Sequence, residues 1–91
     1  MMNMHGVELQ SASQQLIEVD ATIRRNTDDL VNMVRRHATS ESIYEQAEFI
    51  DILRRRRETQ LRKLARLGVS EADFYNALRW KNEEAEEDAL A

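Results

Sequence analysis

The feature that most constrains this chain is a run of apolar residues spaced alternately three and four positions apart, from Leu9 to Met33. Such spacing places the side chains along one stripe of an α-helix and is typical of a helix that packs lengthwise against another. The chain has no proline, and its two glycines are Gly6 and Gly68. Because proline and glycine are the strongest helix breakers, we expect long helices between these two positions.

Capping residues and breaks in the apolar spacing predict the boundaries. We expect a single helical domain over residues 9–82, with helices at 9–37, 41–67 and 70–82. A loose N-terminus (1–8) precedes this domain, and an acidic flexible tail (83–91) follows it. Thr39 or Ser40 is suited to cap the second helix, and Gly68 to end it. A tight turn is predicted at 37–40. An uninterrupted helix is the alternative, because no glycine or proline enforces a break there.

The charge pattern favours a first helix folded back on the second. With a turn near residue 38, side chains of opposite charge face each other across the two helices: Asp20 faces Arg57, and Arg35 and Arg36 face Glu41 and Glu45. The same register sets apolar side chains opposite each other: Leu16 faces Leu61, and Ile23 faces Leu53. The first pair matters most, because an arginine that faces a neighbouring helix needs a carboxylate. The predicted fold is all-α: a long two-helix antiparallel hairpin plus a short C-terminal helix, dimerising into a four-helix-bundle core.

Two sets of residues are predicted to drive association. The first is a self-association seam: Leu9, Leu16, Val19, Ile23, Asn26, Leu30, Met33, Ile50, Leu53, Leu61 and Leu64. The second is an apolar face that a hairpin cannot bury alone: Ile17, Val31, Val34, Phe49 and Ile52. We therefore expect a homodimer, or another helical protein in place of the second copy. Asn26, the polar member of the seam, either fixes its register or lies hydrated at its edge.

Charge is strongly separated along a chain whose net charge is −4. Residues 54–66 carry seven basic side chains and one acidic one, whereas the last nine residues carry five acids and no base. The residues predicted to bind anions or a partner's carboxylates are Arg54, Arg55, Arg56, Arg57, Lys63 and Arg66. Such separation suits association between molecules or a tail that covers the basic helix, and equally two solvated surfaces that never meet.

Catalytic chemistry has little support in the residue pattern. The chain has no cysteine, and neither His5 nor His37 has a partner at catalytic spacing. A site at His37, Glu41 and Glu45 would lack the Glu-x-x-His pairs of metal sites in helical bundles. We expect no enzyme activity, cofactor, metal or small-molecule substrate. Without a signal peptide or a long apolar run, we also expect a cytoplasmic protein with no membrane span.

The stretch 61–81 resembles a helix-turn-helix, a DNA-binding motif of two helices joined by a tight turn. The residues near the required positions are Gly68, Val69, Phe74 and Leu78, with Asn76, Arg79 and Lys81 as possible polar contacts. The second helix nevertheless opens with Glu71 and Asp73, which repel phosphates. The predicted function is a small non-enzymatic protein–protein interaction module: an adaptor, regulatory antagonist or secretion-type chaperone. A small DNA- or RNA-binding regulator that uses the basic helix and segment 61–81 is the alternative.

Overall fold

Three α-helices make up the fold. They are α1 (Met4–Arg35), α2 (Ser40–Arg66) and α3 (Glu71–Leu90). The computed structural model describes the backbone of residues 4–90 and the side chains of residues 6–82. Helices α1 and α2 pack on each other as an antiparallel hairpin, and α3 packs against one end of it. The predicted all-α hairpin with a third helix is therefore confirmed.

Two helix boundaries lie beyond the predicted ones. Helix α1 begins at Met4 rather than Leu9, and α3 continues to Leu90 rather than ending near Asn82. The sequence after residue 82 consists mainly of glutamate and alanine, which favour helix, and no helix breaker follows Gly68. Helical backbone thus replaces the predicted loose segment over residues 4–8 and the predicted tail over residues 83–90, while residues 1–3 and 91 lie outside the described residues.

The turn between α1 and α2 is built without glycine. His37 adopts the left-handed backbone conformation, with φ of 57°. The backbone N–H of Ala38 donates to the carbonyl of Met33 at 2.9 Å, which closes the C-terminus of α1. Thr39 then caps α2, because its hydroxyl accepts a hydrogen bond from the backbone N–H of Ser42 at 3.2 Å. The predicted tight turn is confirmed, and the alternative of an uninterrupted helix is wrong.

The turn between α2 and α3 follows the same plan with a glycine. Gly68 has φ of 86°, and the N–H of Val69 donates to the carbonyl of Leu64 at 2.9 Å. Val69 also packs against the core, as the residue after such a helix end commonly does. Ser70 caps α3 by accepting a hydrogen bond from the N–H of Asp73 at 3.1 Å. Together these contacts turn α3 back onto the hairpin.

The core lies where all three helices meet, at the end of the hairpin remote from the α1–α2 turn. Its buried members are Ala12 and Leu16 from α1, Leu64 from α2 and Phe74 from α3. Ile50 and Leu53 are buried in the middle of the hairpin. Nearer the turn the described contacts are between α1 and α2 alone, and the seam residues Leu30 and Met33 are half-buried. Burial is therefore concentrated at one end of the molecule.

Candidate functional site

A hydrogen-bond network centred on Arg57 joins all three helices. The Nε of Arg57 donates to Oδ1 of Asp20 in α1 at 2.9 Å. Its Nη2 donates to Oε1 of Glu71 at 2.8 Å and to the hydroxyl of Tyr75 at 2.9 Å, both in α3. The Tyr75 hydroxyl in turn donates to Oδ2 of Asp20 at 2.6 Å. The predicted pairing of Asp20 with Arg57 is confirmed, and the structure adds Glu71 and Tyr75 to it.

The network is partly sheltered from water. The side chains of Arg57 and Asp20 are 25% and 28% exposed, whereas that of Glu71 is 56% exposed. The hydrogen bonds to Glu71 and then to Tyr75 raise the pKa of Arg57, which therefore stays a cation throughout the range in which proteins fold. Burial, followed by the hydrogen bond to Asp20, raises the pKa of Tyr75. The arrangement therefore holds charges in fixed places and clamps α3 to the hairpin.

Local sequence explains how α3 contributes to the network. The cap at Ser70 starts α3 so that Glu71 and Tyr75 lie four positions apart, on the same side of the helix. Phe74, one position earlier, enters the core and meets the Tyr75 ring edge-on, with ring centroids 5.3 Å apart. The sequence signal for both contacts with Arg57 was therefore the pair Glu71 and Tyr75, four positions apart and next to the core residue Phe74.

The other arginines of the run point in different directions, as four consecutive helical residues must. The Nη1 of Arg54 lies 3.9 Å from Oδ1 of Asp51, and both side chains are exposed. Arg55 borders a depression on the outer side of α2, whereas Arg56 lines a groove between α1 and α2. Because Arg57 is engaged inside the molecule, the run does not form one anion-binding site. The predicted set of basic residues is divided among several surfaces.

Lys63 and Arg66 do share a site, a groove between α1 and α2 at the end of the hairpin remote from its turn. The groove has a volume of about 480 Å³. Its described lining comes from α1, from α2 and from Leu67, the residue that follows α2, and it includes Ala12, Gln60 and Glu8. Lys63 and Arg66 supply its basic side, and Glu8 lies on the α1 side. Among the described side chains, Oε1 of Gln60 is buried without a hydrogen-bond donor. We refer to this feature as the Lys63–Arg66 groove.

Asn26 forms a polar layer across the hairpin. The amide nitrogen of Gln46 in α2 donates to the backbone carbonyl of Asn26 at 2.9 Å and to its Oδ1 at 3.1 Å. Asn26 also donates its own amide hydrogen to the carbonyl of Thr22 at 2.8 Å. An amide pair that bonds across two helices has one favourable alignment, which favours the interpretation that Asn26 helps to fix the register of the hairpin.

The seam residues are used within one molecule. Leu16, Ile50, Leu53 and Leu64 are buried by the chain's own helices, and Leu9, Val19 and Leu61 pack around the core. These side chains therefore hold the hairpin together, and they are not available to a second copy unless the hairpin opens. That the seam is also a self-association surface stays a prediction. What remains for a partner is the apolar surface outside the seam.

The predicted second apolar face is exposed, but its members do not lie on one face. Ile17, Val31, Val34, Phe49 and Ile52 are each between 43% and 54% exposed. Phe49 lines the depression between α1 and α2 together with Thr22, whereas Ile52 lies on the outer side of α2 beside Tyr44. Val31 is nine positions from Thr22, half a turn around α1, and so lies on the opposite side. The exposed apolar residues therefore surround the hairpin.

The helix-turn-helix-like segment folds as two helices joined by a tight turn, with its contacts directed inward. Phe74 is buried in the core, with Tyr75 and Leu78 packed beside it. Glu71, at the start of α3, is bonded to Arg57. The first turn of α3, where a recognition helix would meet DNA bases, therefore presents acids and internal contacts.

Three further observations concern the described part of the chain. Its side chains include no cluster of three histidine or carboxylate residues that could hold a metal ion. None of its helices combines the length and the apolar character needed to cross a membrane. Comparisons with protein-family models, with curated proteins and with solved structures found no match.

Proposed function

We propose that this chain is a small non-enzymatic protein–protein interaction module that acts by helical packing. Adaptors, regulatory antagonists and secretion-type chaperones are modules of this kind. We further propose that the chain forms a homodimer in which two hairpins pack into a four-helix-bundle core. A helical segment of another protein is the competing occupant of the same surface.

The observation that carries this proposal is the exposed apolar surface of the turn-proximal half of the hairpin. Between residues 31 and 52, five large apolar side chains are 43–65% exposed: Val31, Val34, Tyr44, Phe49 and Ile52. The contacts of the described side chains of α3 lie at the other end of the hairpin. Single exposed apolar residues are common on monomeric soluble proteins, and here five large ones lie around the same half of a short hairpin.

The size of the molecule makes a partner energetically useful. A domain of this length buries a smaller fraction of its surface than a larger protein does, so its stability is marginal. Burial of apolar surface contributes about 25 cal/mol per Å². A standard interface covers about 800 Å² on each partner, roughly a tenth of the 7474 Å² exposed by the monomer. A second hairpin packed on the turn-proximal half would supply an interface of this kind.

Nucleic-acid binding remains the alternative proposal, with less support. Phosphate binding needs several basic side chains on one surface. Here Arg57 is paired with carboxylates, and Arg54, Arg55 and Arg56 point in different directions. The net charge of −4 also opposes non-specific attraction to a polyanion.

Sedimentation equilibrium at micromolar concentration tests the homodimer. We expect a mass of twice 10.7 kDa for the unaltered chain, and a monomer when Val31→Asp and Val34→Asp are combined. A matched control carries Gln10→Asp and Gln14→Asp, which add the same charges to exposed positions of α1 nearer its N-terminus. If the unaltered chain sediments as a monomer, the homodimer is contradicted. If the control variant sediments as a monomer as well, the proposed surface is contradicted.

Titration with a DNA or RNA duplex at low salt separates the two functional classes. An interaction module should show no binding, whereas a nucleic-acid-binding regulator should bind and weaken steeply as salt rises. Binding of the second kind would replace the present proposal with the alternative.

A further inference from the structure

The Lys63–Arg66 groove continues along the hairpin toward its turn. A second groove between α1 and α2, which Phe49 lines, shares Gln15 and Gln60 with it, so the two form one depression. Val7, which is 52% exposed, lies at one end of this depression, and Phe49, which is 44% exposed, lies at the other. We refer to the whole depression as the long groove.

The two walls of the long groove carry opposite charges. Its α2 wall has three exposed basic side chains and its α1 wall two exposed acidic ones: Arg56, Lys63 and Arg66 on α2, and Glu8 and Glu18 on α1. Within the described side chains, none of the five has an ion-pair partner within 4.0 Å. Glu18 accepts a hydrogen bond from the neutral amide of Gln14 at 3.4 Å. The long groove therefore presents charges of both signs to an occupant.

We propose that the long groove packs face to face on the long groove of a second copy of this chain, about a two-fold axis parallel to α1 and α2. Glu18 of one copy then pairs with Arg56 of the other. Glu8 of one copy likewise pairs with Arg66 of the other. The proposal shares with the proposed function the association of copies by helical packing, and it goes beyond it by using the side of the hairpin opposite to Val31.

The charges of the two walls select this axis. When identical faces pack on each other, a two-fold axis parallel to the helices exchanges the two walls and keeps each residue at its height along the hairpin. The acidic wall of each copy therefore meets the basic wall of the other. An axis that crosses the helices would set α1 on α1 and α2 on α2, which brings like charges together and is disfavoured.

The register of the hairpin brings the paired charges to similar heights. The bond between Asp20 and Arg57 fixes which positions of α1 and α2 lie level with each other. By this register, Glu18 lies level with about position 59 and Glu8 with about position 69. Each acid is therefore about three positions, or roughly 4.5 Å along the axis, from the arginine proposed for it. Glutamate and arginine side chains are long enough to span this offset.

Apolar contact and buried area set the strength of the association. Because the axis keeps heights unchanged, Phe49 of one copy lies level with Phe49 of the other, and both line the groove between the copies. From Val7 to Phe49 the face is about 30 Å long, and two helices make it about 20 Å wide. Each copy would bury about 600 Å², at the lower limit for a specific interface. We therefore expect association at high concentration.

A second copy fits the long groove better than a nucleic acid does. Phosphates would pair with the α2 wall, but Glu8 and Glu18 on the other wall repel them. A second copy pairs with both walls at once, because it brings bases to these acids and acids to Arg56 and Arg66.

Sedimentation equilibrium of a chain with Val31→Asp and Val34→Asp tests the long groove by itself, because this chain lacks the proposed turn-proximal contact. We refer to it as the double-aspartate chain. From micromolar to millimolar concentration at low salt, we expect its mass to rise toward twice that of the monomer. Added salt should reverse the rise, because it screens the charge pairs.

Inversion of the acidic wall tests the charge pairing. Glu8→Lys with Glu18→Lys, added to the double-aspartate chain, sets bases against bases across the contact, so the association should weaken about tenfold or more. The matched control adds Asp51→Lys with Glu58→Lys, which make the same charge change at exposed α2 positions outside the long groove. The control should leave the association in place.

A charge exchange separates direct contact from an indirect structural effect. Arg56→Glu with Arg66→Glu, added to the double-aspartate chain, should also weaken self-association, because acids then face acids. Mixed with the chain that carries Glu8→Lys and Glu18→Lys, it should recover the dimer mass, because both walls of each copy then meet walls of opposite charge. Recovery only in the mixture supports direct contact between copies.

Other outcomes overturn the proposal. They are a double-aspartate chain that stays monomeric up to millimolar concentration, an association indifferent to Glu8→Lys with Glu18→Lys, and a mixture that does not recover. An unaltered chain that dimerises while the double-aspartate chain stays monomeric refutes the long-groove contact and leaves packing through Val31 and Val34 intact. Equal, charge-dependent association of both chains supports the long groove and refutes the turn-proximal contact. The two proposals can therefore fail separately.

Discussion

Replacement of Arg57 by alanine should destabilise the fold far more than the same replacement at its neighbours. The change removes the hydrogen bonds to Asp20, Glu71 and Tyr75 and leaves a partly sheltered carboxylate without its cation. Arg55, two positions earlier, is exposed and has no ion-pair partner within 4.0 Å among the described side chains. The contrast between these two sites isolates the network from the general charge of the run.

The expected magnitude follows from exposure. The bond to Asp20, whose side chain is 28% exposed, should contribute about 1–2 kcal/mol, and the bond to Tyr75 about 0.5–1 kcal/mol. Glu71 is more than half exposed, so water screens its pairing and about 0–0.5 kcal/mol remains. Arg57→Ala should therefore cost about 1.5–3.5 kcal/mol, or roughly 6–28 °C in Tm. Arg55→Ala should stay within about 0.5 kcal/mol.

Urea unfolding followed by far-ultraviolet circular dichroism, at one fixed protein concentration, measures these differences. Arg57→Met is a useful companion because it keeps much of the apolar stem and removes the charge. We expect it to lose most of the same free energy. Equal, small effects of Arg57→Ala and Arg55→Ala would show that the arginine run is solvated as a whole, and the clamp on α3 would then be wrong.

Three further predictions concern single contacts. In a Tyr44→Phe background, phenolate absorbance should show Tyr75 titrating above 10.0, its ordinary value, because burial and Asp20 raise its pKa; a value at or below 10.0 would contradict the network. The same shift implies that stability declines as pH rises above about 10, since the unfolded chain then loses the proton first, and Tyr75→Phe should remove this part of the decline. His37→Gly should stabilise the fold by about 0.5–1 kcal/mol, because the φ of 57° at this position is left-handed and suits glycine. Gly68→Ala should destabilise it by about 1–2 kcal/mol, because φ is 86° there, although no atom lies within 4 Å of the added methyl group. The reverse order of the two Tm values in thermal unfolding would contradict these roles of the two turns. Gln46→Ala should cost about 1 kcal/mol in urea unfolding, because it leaves two α1 oxygens without their donor, and no change would mean that the polar layer contributes nothing.

The parts of the fold that could be predicted depend on local spacing. Apolar periodicity, the cap at Thr39 and the glycine at Gly68 are signals carried by a few adjacent residues, and each identified its element. The pairing of Asp20 with Arg57 was predictable because one turn position sets the register of a whole hairpin. Pairing near the turn was not: among the described side chains, Arg35 and Arg36 form no ion pair with the nearby acids of α2. Exposed ion pairs there gain too little to hold long side chains in place.

What could not be predicted depends on where α3 lies. Its position decides that Tyr75 and Glu71 meet Arg57, and that the described part of α3 covers the end of the hairpin remote from the turn. Helix propensity alone does not specify how a third helix sits on a hairpin. For the same reason the sequence did not show that Phe49 and Val31, both exposed, lie on different sides of the hairpin.

Methyl chemical shifts recorded across a dilution series test the central claim most directly, since they report both whether copies associate and where. We expect the methyl signals of Val31 and Val34 to change between dilute and concentrated samples, and those of Leu16 and Leu64, buried inside the hairpin, to stay constant. Signals that are constant at every position, or changes confined to the buried leucines, would contradict the claim that the turn-proximal half of this hairpin is a protein-binding surface.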